Sequence, residues 1–271
     1  MGGKKIISRQ SFNSAYVFEK NKSVKEIAFR NVRFKYPCSE SYTLENISFR
    51  MTSGKRYAFI GENGAGKTTI VKLLFGLYDN YEGDIFVNDT NIRDMPLEEL
   101  YSHFSAVHQD FARYQIPLKD NLTMGCGNFS EQSLLSLIEK MGLTERFNSL
   151  PERLDTDVGR LGDYGVDFSG GEWQRIAIIR ALMRNAPIQV MDEPTASLDP
   201  ISERDLYDLF ASSFQGDIGI LITHRLGGAK NADEIMVISG GRVFEQGTHN
   251  ELITLKGKYF EMYEAQRYWY S

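Results

Sequence analysis

The chain has 271 residues and a net charge of −5, with 42% hydrophobic and 25% charged residues, a balance that fits a globular protein with a sizeable core. The acidic balance argues against a nucleic-acid footprint. No apolar run approaches the ~18–20 residues of a membrane span, and the basic start of the chain lacks the apolar core of a signal peptide.

Residues 1–24 are polar, with Lys4, Lys5, Arg9, Lys20 and Lys22 against Glu19. They read as an N-terminal arm or linker, or as the connector from a membrane segment, where a basic flank is expected. The folded domain is expected over 25–271. Ile27 and Phe29 alternate, then Val32, Phe34 and Tyr36 do so after a one-residue phase shift, which two strands or one bulged strand would produce. Tyr36 ends that run, where a ring could stack on a base; a plain core or surface tyrosine is the alternative. Cys38 and Cys126 lack metal-type spacing and read as free, buried or half-buried thiols in a reducing compartment. Ile47, Phe49 and Met51 mark the next strand.

Tyr57-Ala58-Phe59-Ile60 is an apolar run of the kind a buried parallel strand shows. It opens onto Gly61-Glu62-Asn63-Gly64-Ala65-Gly66-Lys67-Thr68-Thr69, which fits G-x-x-x-x-G-K-[ST], the phosphate-binding loop. Three glycines let the backbone curl with its N–H groups inward, and the following helix points its positive end at the same place. Lys67 supplies a charge for the β- and γ-phosphates and the Thr68 hydroxyl a ligand for Mg²⁺. Ile70, Leu73, Leu74 and Leu77 are spaced as the buried stripe of that helix.

Gly83–Val87 reads as a strand, Pro96–Ser102 as a short helix and Phe104–Val107 as a strand that delivers Gln109, a polar loop residue or one that touches Mg²⁺ or a water. A helical subdomain over about 112–185 follows. Ser130 is its expected N-cap, and Leu134, Leu137, Ile138 and Met141 form a packing stripe. Near its end, Ser169-Gly170-Gly171-Glu172 forms an S-x-x-E capping box with bare N–H groups in its first turn, a second anion-binding helix start. Ile188–Met191 is a strand closed by Asp192 and Glu193, the expected Mg²⁺ ligand and a carboxylate to hold water. Ser197-Leu198-Asp199 precedes a helix expected over 200–214, and Ile218–Thr223 is a strand with His224 just past its end. Thr248 and Glu251 make another capping box.

In this order the motifs resemble the ATP-binding domain of an ABC transporter, over roughly Lys25 to Gln266, with exporter-like detail. The resemblance implies an α/β P-loop NTPase with a mixed, mostly parallel core sheet, an antiparallel β subdomain and a helical subdomain that carries the signature. It implies Walker A at Gly61–Thr69, the Walker B aspartate at Asp192, the catalytic glutamate at Glu193, the Q-loop at Gln109, the D-loop at 197–199, the switch histidine at His224, the adenine-stacking aromatic at Tyr36 and the signature at Ser169–Glu172. ATP and Mg²⁺ are the implied cofactors. The implied partners are a second ABC ATPase domain, identical or not, and transmembrane domains, with no nucleic acid. The implied place is the cytoplasmic face of a cell membrane. Phe168 stands where Leu is usual, Glu172 where Gln is commonest, and Arg160 where Glu is usual in the exporter segment that senses the membrane domain.

A DNA-repair or chromosome-organising head would place a long coiled coil between Lys67 and Ser169. Here they are only about 100 residues apart, without heptads. A translation-associated member would carry two such domains. A stand-alone importer subunit is the nearest alternative to an exporter.

Overall fold

The structure is a computed structural model that describes residues 23–159, 166–194, 207, 214 and 216–270. Residues 1–22 of the arm expected over 1–24, Arg160, the segment 197–199 and most of the helix expected over 200–214 lie outside the described residues. Val24 is fully buried, and its N–H donates to the Asp217 carboxylate at 2.6 Å.

Two sheets form the frame. The first is antiparallel, in the order β2 (Leu44–Thr52), β1 (Glu26–Phe34), β4 (Glu82–Val87), β5 (Thr90–Asn91). The phase shift in β1 is a bulge in one strand: its register with β2 slips between Phe29 and Val32, with Asn31 at φ +50°. The second sheet runs β10 (Arg242–Gly247), β9 (Glu234–Ser239), β3 (Lys55–Ile60), β8 (Ile218–Ile222), β7 (Ile188–Asp192), β6 (Phe104–Val107). β9, β3, β8, β7 and β6 are parallel, and β10 is antiparallel to β9.

β3 shows why its sequence has no polar gap. Tyr57 and Phe59 point into a core shared with the antiparallel sheet, α1 (Lys67–Leu74) and Leu100 of α2 (Leu97–Ser102). Ala58 and Ile60 point into a second core with α7 (Leu226–Ala229), α8 (His249–Leu255) and α9 (Lys258–Tyr270). Both faces are covered, as a central parallel strand requires. A third core joins α3 (Leu118–Thr123), α4 (Glu131–Lys140), α5 (Thr144–Asn148) and α6 (Gly170–Arg184) to Val107, Met191 and Leu221 of the sheet. This is the expected helical subdomain, with Ser130 capping α4.

The stripe read through Leu77 stops short. α1 ends at Leu74, and Gly76 adopts φ +66°. The Gly76 N–H donates to Leu73 O and the Leu77 N–H to Lys72 O, the pair of bonds that closes a helix on a left-handed glycine. Leu77 is thereby thrown out to 53% exposure. Cys38 and Cys126 are both free thiols; Cys126 is half-buried as expected, but Cys38 sits exposed in the turn after Tyr36.

Candidate functional site

Because β3, β8, β7 and β6 are adjacent and parallel, their carboxyl ends lie side by side. That edge carries the loop after β3, His224 after β8, Asp192-Glu193 at the end of β7 and Gln109 after β6. Topology alone thus gathers residues far apart in sequence at the place where open α/β sheets bind ligands.

The phosphate loop is shaped by close approaches. A Cβ on Gly61 would lie 2.1 Å from the Ile238 carbonyl oxygen, and one on Gly66, at φ +105°, 2.5 Å from Leu44 Cδ2. α1 starts immediately after, with no side-chain cap and no acid in its first turn. Its N–H groups and positive end are left for an anion. The Lys67 ammonium curls under the loop and donates to the Gly61 and Glu62 carbonyls at 2.8 and 3.0 Å. Burial lowers its pKa, against the pull of Glu193 and Asp192.

Asp192 closes β7 at 4% exposure and accepts a hydrogen bond from the Thr68 hydroxyl at 3.2 Å. Burial raises its pKa, against the Thr68 bond. Two hard oxygen donors held together beside a phosphate loop fit Mg²⁺, which takes few protein ligands and completes its shell with phosphate and water.

Glu193 has φ +48°, left-handed backbone that costs a non-glycine residue on the order of 1 kcal/mol or more. Its N–H donates to Ile222 O at 2.9 Å, which ties the strained residue to β8. Its carboxylate lies 3.2 Å from His224 Nδ1. Gln109 is exposed just past β6.

Tyr36 is half-buried and its hydroxyl pairs with that of Thr69 at 2.9 Å. Its ring meets Phe34 and Tyr78 edge-on, at 5.0 and 5.4 Å between centroids. It therefore stands beside the first turn of α1, and these contacts fix its orientation.

The Ser169 start of α6 forms both halves of its capping box. The Ser169 N–H donates to Glu172 Oε2 at 2.7 Å and the Glu172 N–H to Ser169 Oγ at 3.3 Å. α6 packs in the helical core and α1 in the core between the sheets, so the two helix starts belong to different packing units.

Residues 44–196 match the family described as ABC transporter. The chain belongs to the ABC transporter family. Its fold is that of the family's P-loop ATPase domain, which binds nucleotide. Among solved structures, a bacterial Atm1-family ABC exporter with ATP bound matches at a TM-score of 0.80 and 34% identity, over 90% of this chain and 42% of that one. The subtilin transport ATP-binding protein SpaT of Bacillus subtilis is 37% identical over 90% of this chain and 40% of its own length. An ATP-dependent lipid A-core flippase of Idiomarina loihiensis is 38% identical over 89% of this chain and 41% of its own. The chain thus spans about two fifths of the length of these relatives.

The structure also shows partners that the motifs did not signal. Arg146 of α5 pairs with Glu172 at 3.1 Å. Lys258 of α9 pairs with Glu62 of the phosphate loop at 3.2 Å and donates to Ser239 Oγ at 2.8 Å. Neither lies in a motif, and each contact crosses between elements, so no local spacing could have revealed it.

Proposed function

We propose that this chain hydrolyses ATP with Mg²⁺ and that the cycle drives export through partner transmembrane domains. The observation that carries it is the arrangement at the end of β7: Asp192 bonded to Thr68 of the phosphate loop, followed by a strained Glu193 aimed at His224.

In the proposed reaction, Glu193 accepts a proton from a water as that water's oxygen attacks the γ-phosphorus in line. The bond from the γ-phosphorus to the bridging oxygen breaks, and ADP carries the electron pair away. Lys67 and His224 stabilise charge that gathers on the phosphoryl oxygens. Tyr36 stacks on the adenine, while Gly61–Thr69 hold the phosphates with Glu62, Asn63, Ala65 and Thr69 shaping the loop. Thr68, Asp192 and Gln109 hold Mg²⁺, whose chemistry when bound is to neutralise phosphate charge.

The signature, Ser169-Gly170-Gly171-Glu172, takes the same nucleotide from a second ABC ATPase domain. One triphosphate reaches both helix starts when two copies oppose each other head to tail. Closure excludes water and completes the site, and hydrolysis severs the γ-phosphate from the ADP, so that the phosphate charges no longer hold the copies together. The relatives that match include a transport ATP-binding protein, a flippase and an exporter, which favours export over the stand-alone importer reading. No helix among the described residues is long and apolar enough to cross a membrane. The domain sits, in this reading, at the cytoplasmic face of the membrane that holds its partners, and nucleic acid has no part.

The test is turnover of Glu193→Gln. It should bind ATP, lose at least about a hundredfold in hydrolysis and accumulate as a nucleotide-bound dimer. Turnover equal to that of the parent chain contradicts the role of Glu193.

A further inference from the structure

The start of α6 is an unusual place for a carboxylate if it is to meet a polyphosphate. Glu172 is fixed in the first turn by the two capping bonds to Ser169. The cap stabilises the helix, but the same charge opposes an incoming anion. The helical core supplies a counter-charge from another helix. Arg146 Nε donates to Glu172 Oε1 at 3.1 Å, and its Nη2 donates to the Asp167 carbonyl at 3.4 Å. The guanidinium carbon lies 5.3 Å from the centre of the Phe168 ring, within cation–π range. Phe168 is in turn held edge-on by Phe147 and Trp173, at 5.9 and 5.8 Å. One guanidinium therefore meets three features at the start of α6: the Asp167 backbone, the Phe168 ring and the Glu172 carboxylate. Two of these, Phe168 and Glu172, are the positions at which the signature departs from its usual residues.

We propose that Arg146 is a positioning residue for the anion-binding tip of α6, neutralising Glu172 and bracing Phe168 so that the tip keeps its cap and still accepts a nucleotide phosphate from a second copy of this chain. The proposal rests on the two-copy reading of the site. Without Arg146 the tip carries an uncompensated negative charge toward the phosphates. With Glu172 made neutral, Arg146 has no charge to cancel.

The test is ATP-driven pairing of the 271-residue Glu193→Gln chain, read by sedimentation at several salt concentrations, with melting of each variant as the fold control. Arg146→Ala should weaken pairing about tenfold at low salt, and the loss should shrink as salt screens the charge. Adding Glu172→Gln to Arg146→Ala should restore pairing to within a few-fold of the parent. Arg146→Lys keeps the charge and should retain most of the pairing, which covers the case in which Arg146→Ala fails to fold. Unchanged pairing in Arg146→Ala overturns the proposal and leaves the two-copy reading standing. So does a loss that Glu172→Gln does not rescue and salt does not alter. A Glu193→Gln parent that never pairs overturns the two-copy reading, and this proposal with it.

Discussion

The Glu193 carboxylate and the His224 imidazole meet at 3.2 Å, each held just past the end of its own buried strand. β7 and β8 are direct neighbours, so the contact follows from strand order. His224→Ala should leave ATP binding nearly intact and lower kcat about a hundredfold or more, in the range seen when one charge-stabilising donor is removed. Single-turnover kinetics with ATP check this. A change confined to KM would assign His224 to ground-state binding instead.

Tyr36 has two separable parts, a ring with the Lys72 ammonium 5.8 Å from its centre and a hydroxyl bonded to Thr69. Tyr36→Ala should weaken ATP by about 1–3 kcal/mol, the usual value of one stacked base, and leave inorganic triphosphate nearly unaffected. Tyr36→Phe keeps the ring and should recover most of the loss. Calorimetric titration with both ligands separates the two, and equal losses for ATP and triphosphate would exclude stacking.

Glu172 carries a pH dependence with a definite sign. Burial opposes its ionisation, but the Ser169 bonds and Arg146 outweigh it and hold the carboxyl below the usual glutamate range. A depressed folded pKa gives stability that is present above the unfolded value, about 4.3, and lost as pH falls through the folded one. The side chain is 25% exposed, so the effect is modest, about 0.5–1 kcal/mol at neutral pH. Urea melts should show Glu172→Ala less stable than the parent at pH 7, with the gap closing below about pH 4. A gap that persists in acid would mean that the loss comes from packing.

Lys258 ties the last helix to the phosphate loop through Glu62. Glu62 is exposed, so the pair contributes little to stability, but Glu62 also offers its carbonyl to Lys67. Lys258→Ala should raise the KM for ATP about two- to threefold at low salt, with the difference fading at high salt. Glu62→Gln should do the same, and the double variant no more than either single one, as expected of a coupled pair. Additive losses would show that the two act separately.

Much of this was legible in the chain. The central strands of the core sheet announce themselves because both their faces are buried and they read as largely apolar runs, as at Tyr57–Ile60 and at Ile188–Met191, where Gln189 is the one polar residue. The phosphate loop and the Ser169 cap are legible because their chemistry is local. Leu77 misled because helical spacing continues through Gly76, while the left-handed glycine stops the helix one turn earlier. Arg146 and Lys258 stayed hidden because their contacts are set by how α5 and α9 pack. The left-handed backbone of Glu193 also has no signal in the residue itself.

The central claim is that each site is built from the phosphate loop of one copy and the α6 start of another. It is tested most directly by mixing two inactive variants. Lys67→Ala removes the loop's charge. Gly170→Asp places a negative charge at the α6 start, where the space for a side chain is open. Each alone should be inactive. Mixed in equal amounts, they should recover about a quarter of the parent ATPase rate, since random pairing gives half mixed dimers with one intact site each. No recovery on mixing, with both variants folded and able to pair, would contradict the account.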